Sequence, residues 1–207
     1  MAETDISICA RALVSLGARP ITSFLASEGD NAVTCANIYP TLKLGLLGRH
    51  PWRFLMKKAE LTRDATDPIG EWTKSFVIPG DALGLGHAVF SSQSDTVSNQ
   101  EFEVFGRRIY TNHERLFLDY KADLIEALWP AHFIDMMAHV VAAEIAFVVT
   151  DQQSKAEAAG VKAYGFPSEK GLGGALGAAL AADAQSNAST GFQLDTFTTA
   201  RFGGGFH

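Results

Sequence analysis

The chain has 207 residues, of which 47% are hydrophobic and 19% charged, a composition that supports a packed core and excludes global disorder. Its length allows one domain of ordinary size, or one domain carrying an insertion. Seventeen Lys and Arg against 23 Asp and Glu leave a net charge of -6, which excludes a basic nucleic-acid surface as the theme of the molecule, and two cysteines, Cys9 and Cys35, make no disulfide scaffold.

The first residues, MAETDISICARALVSLGARP, are acidic at the start and only intermittently apolar, unlike a secretory signal. Ile6, Cys9, Ala10 and Leu13 recur at helical spacing, so a short amphipathic helix is expected over Asp5–Leu16, capped by Thr4 or Asp5 and ended by Gly17. Arg19-Pro20 then forces an extended link, ITSFL. A second helix is expected from about Asn31 to Leu47, with Ala32, Cys35, Tyr39, Leu42 and Leu46 on one face and a kink at Pro40. Gly48 closes it, and Pro51 pushes His50 out of helical geometry.

Between Trp52 and Tyr120 the texture changes to short β-branched and aromatic runs, FVIP, HAVF, FEVFG, RRIYT and LFLDY, separated by Gly, Pro, Asp and Asn. They predict a small antiparallel region with a hairpin turn at Gly106-Arg107 and a polar loop over Ser91–Gln100. Helices resume with Pro130 at a first helical position, a long helix over Ala131–Gln153, another over Ser154–Gly165 and a partly helical stretch over Gly171–Ala184. The run Phe133–Thr150 has the length of a membrane span, but Asp135, His139 and Glu144 within it favour a buried helix of a soluble protein. From Gln185 to His207 little core-forming material remains, which predicts an extended arm. The expected fold is α+β, mainly α: a helical bundle with an inserted small antiparallel β region and an extended C-terminal arm. Residues 1–58 and 121–184 form the helical domain, 59–120 the insertion and 185–207 the arm.

Few residues suggest chemistry. His132, Asp135 and His139 share one face of the long helix, a set that suits a divalent metal or, better, a polar and alanine-lined contact with another helix. Glu144 falls on the apolar face, where a carboxylate has a raised pKa unless an arginine meets it; a buried ion pair with Arg11, Arg49 or Arg53 is favoured over a catalytic acid. The Gly171–Gly177 run lacks the spacing and the Lys-Ser/Thr ending of a phosphate loop. No GxSxG, HExxH or CxxC occurs, and both cysteines fall on apolar helix faces. No catalytic, metal or cofactor-binding residue is assigned, and no cofactor is expected. A wall-degrading hydrolase using Glu144 and a small metal-binding helical module remain as alternatives.

Several segments taken in order resemble a phage family, the tail tubular protein A type of head-to-tail adaptor of short-tailed phages and prophages. They are ALVSLGARPITSF, SEGDNAVTCANIY, LLGRHPWRFLMKKAEL, FVIPGDAL, EVFGRRIYTNHERLFLDY, FIDMMAHVVAAEIAFVV, ALAADAQSNAS and TTARFGGG. HPWRF followed by KKAEL, and the helix with AAEIA, carry most of the resemblance. It implies a non-enzymatic virion protein at the head-tail junction, assembled in the host cytoplasm as a ring of about a dozen copies. The portal protein would lie above, the tail nozzle protein beneath, and DNA would pass through the channel without sequence-specific binding or any membrane. The Gly171–Ala182 stretch is more glycine-rich than the family pattern and leaves the helix length there open. Two faces are candidates for subunit contact: His132, Asp135 and His139 on the long helix, and Phe192, Leu194, Phe197, Arg201, Phe202 and Phe206 on the arm. An acidic chain also suits a DNA conduit, because it repels phosphates.

Overall fold

The computed structural model describes residues 3–186, apart from 66–67, 69, 85, 87, 96–97, 100 and 170–171. The arm residues Phe192, Leu194, Phe197, Arg201, Phe202 and Phe206 therefore lie outside the described residues.

Among the described residues five α-helices build the helical part: α1 (Asp5–Ser15), α2 (Asp30–Arg49), α3 (Ala131–Thr150), α4 (Gln153–Tyr164) and α5 (Gly174–Gln185). Local chemistry sets most of their ends. Thr4 caps α1 reciprocally: its hydroxyl accepts from Ser7 N while the Ser7 hydroxyl accepts from Thr4 N. α2 runs through Pro40, which faces solvent, and stops where His50 turns extended ahead of Pro51. Pro130 sits at the cap of α3 rather than inside its first turn. At the other end Asp151 adopts a left-handed conformation (φ 51°) and turns the chain into α4.

α3 is long and apolar enough by length and composition to cross a membrane, and 56% of that window is buried inside the fold. It packs against the other four α-helices and forms the axis of the larger core. At its first turns Phe133 meets Trp52, Phe54 and Trp129, each with ring centroids 4.9 Å away in edge-on geometry. The two indoles are satisfied by backbone: Trp52 Nε1 donates to Leu46 O (2.8 Å) and Trp129 Nε1 to Leu124 O (3.0 Å). This aromatic cluster joins the end of α2, the entry to the sheets and the start of α3.

The middle of the chain overturns the expected bundle with a small β region. Its described residues form seven strands in two antiparallel sheets: β1 (Met56–Glu60), β7 (Phe117–Lys121) and β4 (Ala88–Phe90) in one, and β2 (Thr62–Arg63), β3 (Lys74–Val77), β6 (Arg108–Thr111) and β5 (Glu103–Phe105) in the other. The protein is an α+β mix in which the sheets enclose a second core of their own. Phe76 pairs with Ile109, and Leu118 with both Val89 and Ala59; all but Ala59 are buried. Leu61 alone separates β1 from β2, and its N–H donates to Leu116 O (2.8 Å), so the chain changes sheets at one buried corner. β1 and β2 escaped the sequence reading because MKKAELTR is charged rather than β-branched; its strands exist through pairing with β7 and β3. The predicted hairpin at Gly106-Arg107 joins β5 to β6, with Gly106 at φ 60°.

Three surface carboxylates tie the sheet region together. Glu60 on β1 accepts twice from the Arg115 guanidinium (2.8 and 2.9 Å), Asp81 accepts from Lys57 and Tyr120 (both 3.1 Å), and Glu114 pairs with Lys74. Hydrogen bonds from these cations hold Glu60, Asp81 and Glu114 below the ordinary carboxylate range. A carboxyl depressed in the folded state stabilises fully above its unfolded pKa of about 4 and loses that contribution as pH falls toward the lower folded value. The melting temperature is thus expected to drop as pH falls from about 5 to about 3. The double variant Lys57→Met/Arg115→Met should melt with a flatter acid limb in a pH series of thermal scans.

The glycine-rich stretch is a tight corner between α4 and α5. Gly165 (φ 80°) and Gly174 (φ 59°) both need the left-handed region, and a Cβ on Gly174 would stand 2.6 Å from Gly165 N and 2.7 Å from Lys162 O. A Cβ on Gly177 would overlap the Leu172 carbonyl oxygen. In an open helix Gly→Ala gains about 1 kcal/mol from propensity. Here the backbone collision dominates, and Gly177→Ala is expected to lose about 2 kcal/mol in urea unfolding.

Candidate functional site

The three polar residues on the α3 face expected for contact stand in different surroundings. Asp135 is exposed and bridges to Arg11 on α1 (3.1 Å), with His139 one turn along at 3.8 Å. His132 is half-buried, and its Nε2 is buried with no hydrogen-bond partner. Among the described residues no three His, Cys, Asp or Glu side chains converge as a metal site. Asp135 and His139 instead border a groove between α1, α3 and α4.

This groove consists of two adjoining clefts, of about 260 and 430 Å³, which share Ser15 and His139. Alanines from all three helices line it, and small side chains let a neighbouring backbone approach closely. Its polar rim carries Arg11, His139, Lys155 and Lys162 with Asp135. The two lysines are exposed and face no acidic partner among the described residues. Neither was singled out in the sequence, where they sit in an unremarked polar helix.

Glu144 was expected to be a buried partner of an arginine, and that is wrong. It is exposed and accepts from the Tyr164 hydroxyl (3.0 Å). Burial, with the Glu144 carboxylate beside it, pushes the Tyr164 phenol up to about 12. The turn beyond Glu144 is also open: Phe147 is 52% and Val148 67% exposed. α3 is so apolar around its circumference that the helical period could not say which side faces the core.

Among the described residues the buried carboxylate is Asp183 on α5, at 3% exposure. Its Oδ1 accepts from Arg53 N (3.0 Å), capping the short 3-10 turn at Arg53–Leu55, and its Oδ2 lies 3.3 Å from His50 Nε2. The His50 ring in turn meets Trp52 edge-on at 4.9 Å. HPWRF, one of the two most specific pieces of the family resemblance, is therefore a junction locked from α5 across 130 positions of sequence. Among the groups that reading passed over, Asp183 is the one with the largest structural role.

Acids do gather elsewhere. On the four-stranded sheet a cleft of about 450 Å³ is bordered by Asp64, Glu71, Trp72, Glu103, Arg108 and Tyr110. Asp64 is bound to the Arg108 guanidinium (2.6 Å), and Glu103 accepts from the Trp72 indole (2.9 Å). Both carboxylates are thus engaged by donors within the cleft. Cys9 and Cys35 are fully buried; the neighbouring Cys35 and burial push the Cys9 thiol up, so it is a neutral core thiol.

No protein-family model matches the chain, and no curated protein matches it in sequence.

Proposed function

We propose that this chain is a structural ring subunit, a head-to-tail adaptor that sits between a portal and a tail nozzle and lines part of a DNA channel. The ordered resemblance across nearly the whole chain motivates the reading. The structural observation that supports it is the outward apolar side of the helical part. Phe147 and Val148 stand exposed on consecutive positions of the core helix. Tyr164 donates to Glu144 on the preceding turn of that helix, and Phe166, two residues after Tyr164, is also exposed (61%). Large apolar side chains left exposed on a folded unit favour protein contact. A ring needs two unlike faces on each copy, and this side and the α1–α3–α4 groove are separate and chemically different.

The test is electron microscopy of the purified full-length protein, alone and mixed with the portal protein of the same phage. The reading expects rings seated on the portal. A protein that stays monomeric with portal present and never copurifies with particles refutes it. The hydrolase alternative has one specific observation in its favour, the acid-bordered cleft on the four-stranded sheet. Glu103→Gln with unchanged melting and lost wall-degrading activity would favour it.

A further inference from the structure

The groove between α1, α3 and α4 carries unpaired positive charge on an acidic molecule. The whole chain is -6, yet Lys155 and Lys162 stand on the groove without an acidic partner among the described residues, while the single acid in its lining, Asp135, is already engaged by Arg11. Lys155 and Lys162 lie about two turns apart on one side of α4, spaced to address one carboxylate or its two flanks. Between the cations the surface is alanine, with Val14 58% exposed beside it. An occupant suited to this surface has bulky apolar side chains to fill the space above the alanines and an acid set among them.

The chain carries one such segment beyond its last helix. α5 ends at Gln185, and residues 187–207 follow. Within them Asp195 is the only acid, and it lies between Phe192, Leu194 and Phe197 in the run FQLDTF. The six steps from Ser186 to Phe192 span about 20 Å when extended, and the run itself about as much again, enough to lie along a groove of two joined clefts. We propose that the groove seats Phe192–Phe197 of this chain, with Asp195 between Lys155 and Lys162 and the apolar side chains over the alanine floor. The contact holds the arm against a helical body, its own or a neighbouring copy's. It does not depend on the ring reading: a chain that never meets a portal still either seats this segment or leaves it free.

Hydrogen–deuterium exchange with mass spectrometry on the full-length protein tests it. Amides of 193–197 should exchange about tenfold more slowly than in the free peptide of the same sequence. Lys155→Asp/Lys162→Asp should remove that protection while the amides of α3 keep theirs. Asp195→Lys in the same background should bring the protection back, because the pairing is restored with its signs exchanged. Should the reversed pair disturb α4, Lys155→Gln/Lys162→Gln gives the same readout with a smaller loss. Exchange of 193–197 at the free-peptide rate in the unaltered protein overturns the proposal. So does protection that is indifferent to the lysines, or inorganic phosphate raising the melting temperature through the lysines while the arm exchanges freely. Loss of protection on dilution assigns the seat to a neighbouring copy and upholds the contact.

Discussion

Phe133→Ala is expected to destabilise the protein by about 4 kcal/mol, the range for truncating a fully buried aromatic. Phe133 has no exposed surface and touches three other aromatic rings at 4.9 Å. The cavity left behind would be walled by Trp52, Phe54 and Trp129. Both indoles are tied to backbone carbonyls, Leu46 O and Leu124 O, so they are poorly placed to collapse into the space. A site that cannot relax sits at the upper end of the cavity cost. Phe133→Leu keeps much of the volume and should lose less than half as much. Urea unfolding followed by tryptophan fluorescence reads both, since Trp52 and Trp129 are reporters inside the cluster. A loss below about 1.5 kcal/mol for Phe133→Ala would mean that the cluster does not join the helices as the contacts indicate.

The second large effect is at Asp183, where two opposing terms decide the sign. Alanine is the better helix former by about 0.7 kcal/mol, so on propensity alone Asp183→Ala stabilises α5. Against this, the carboxylate is buried and accepts from Arg53 N at 3.0 Å, and its removal strands that N–H and frees His50. A donor left unsatisfied costs about 1–3 kcal/mol, and more when its partner was charged. The expected net result is a loss of about 2 kcal/mol, so burial outweighs propensity. Asp183→Asn retains an oxygen for Arg53 N and should recover part of it. His50→Ala should lose less than Asp183→Ala, because the His50 side chain is 35% exposed and the Arg53 cap survives. If His50→Ala proves the more damaging change, the junction is held by the imidazole and not by the cap.

These two positions also show why parts of the molecule were legible and others were not. Two helix ends and the hairpin were readable because their causes lie within a few residues: Thr4 with Ser7, Pro51 after His50, and the left-handed Gly106 between β5 and β6. The five β-branched and aromatic strands were readable for the same reason. β1 and β2 were not, since Lys57, Lys58 and Arg63 carry no strand preference and the pairing partners of these strands lie far along the chain. The expected size of the β region was too small for that reason, and a bundle with a minor insertion became two sheets with a core between them. On α3 the His132, Asp135 and His139 stripe was visible as a period, yet only packing decided that His132 turns inward while Asp135 and His139 reach the groove. Glu144 was misplaced because a helix apolar on most sides has no unique inner face.

What the sequence determined by itself is therefore local: where several helices begin or end, where the β5–β6 hairpin turns, and that the long apolar helix would be buried. Caps, prolines, glycines and side-chain periodicity act over one or two turns, so they can be read without knowing the rest of the chain. Tertiary structure alone decided the rest. It brought Asp183 to Arg53, made a corner of Leu61, turned Glu144 outward and set two lysines of α4 along a groove shared with α1. These depend on which surfaces meet across long separations. Burial, not propensity, sets the energy of such contacts.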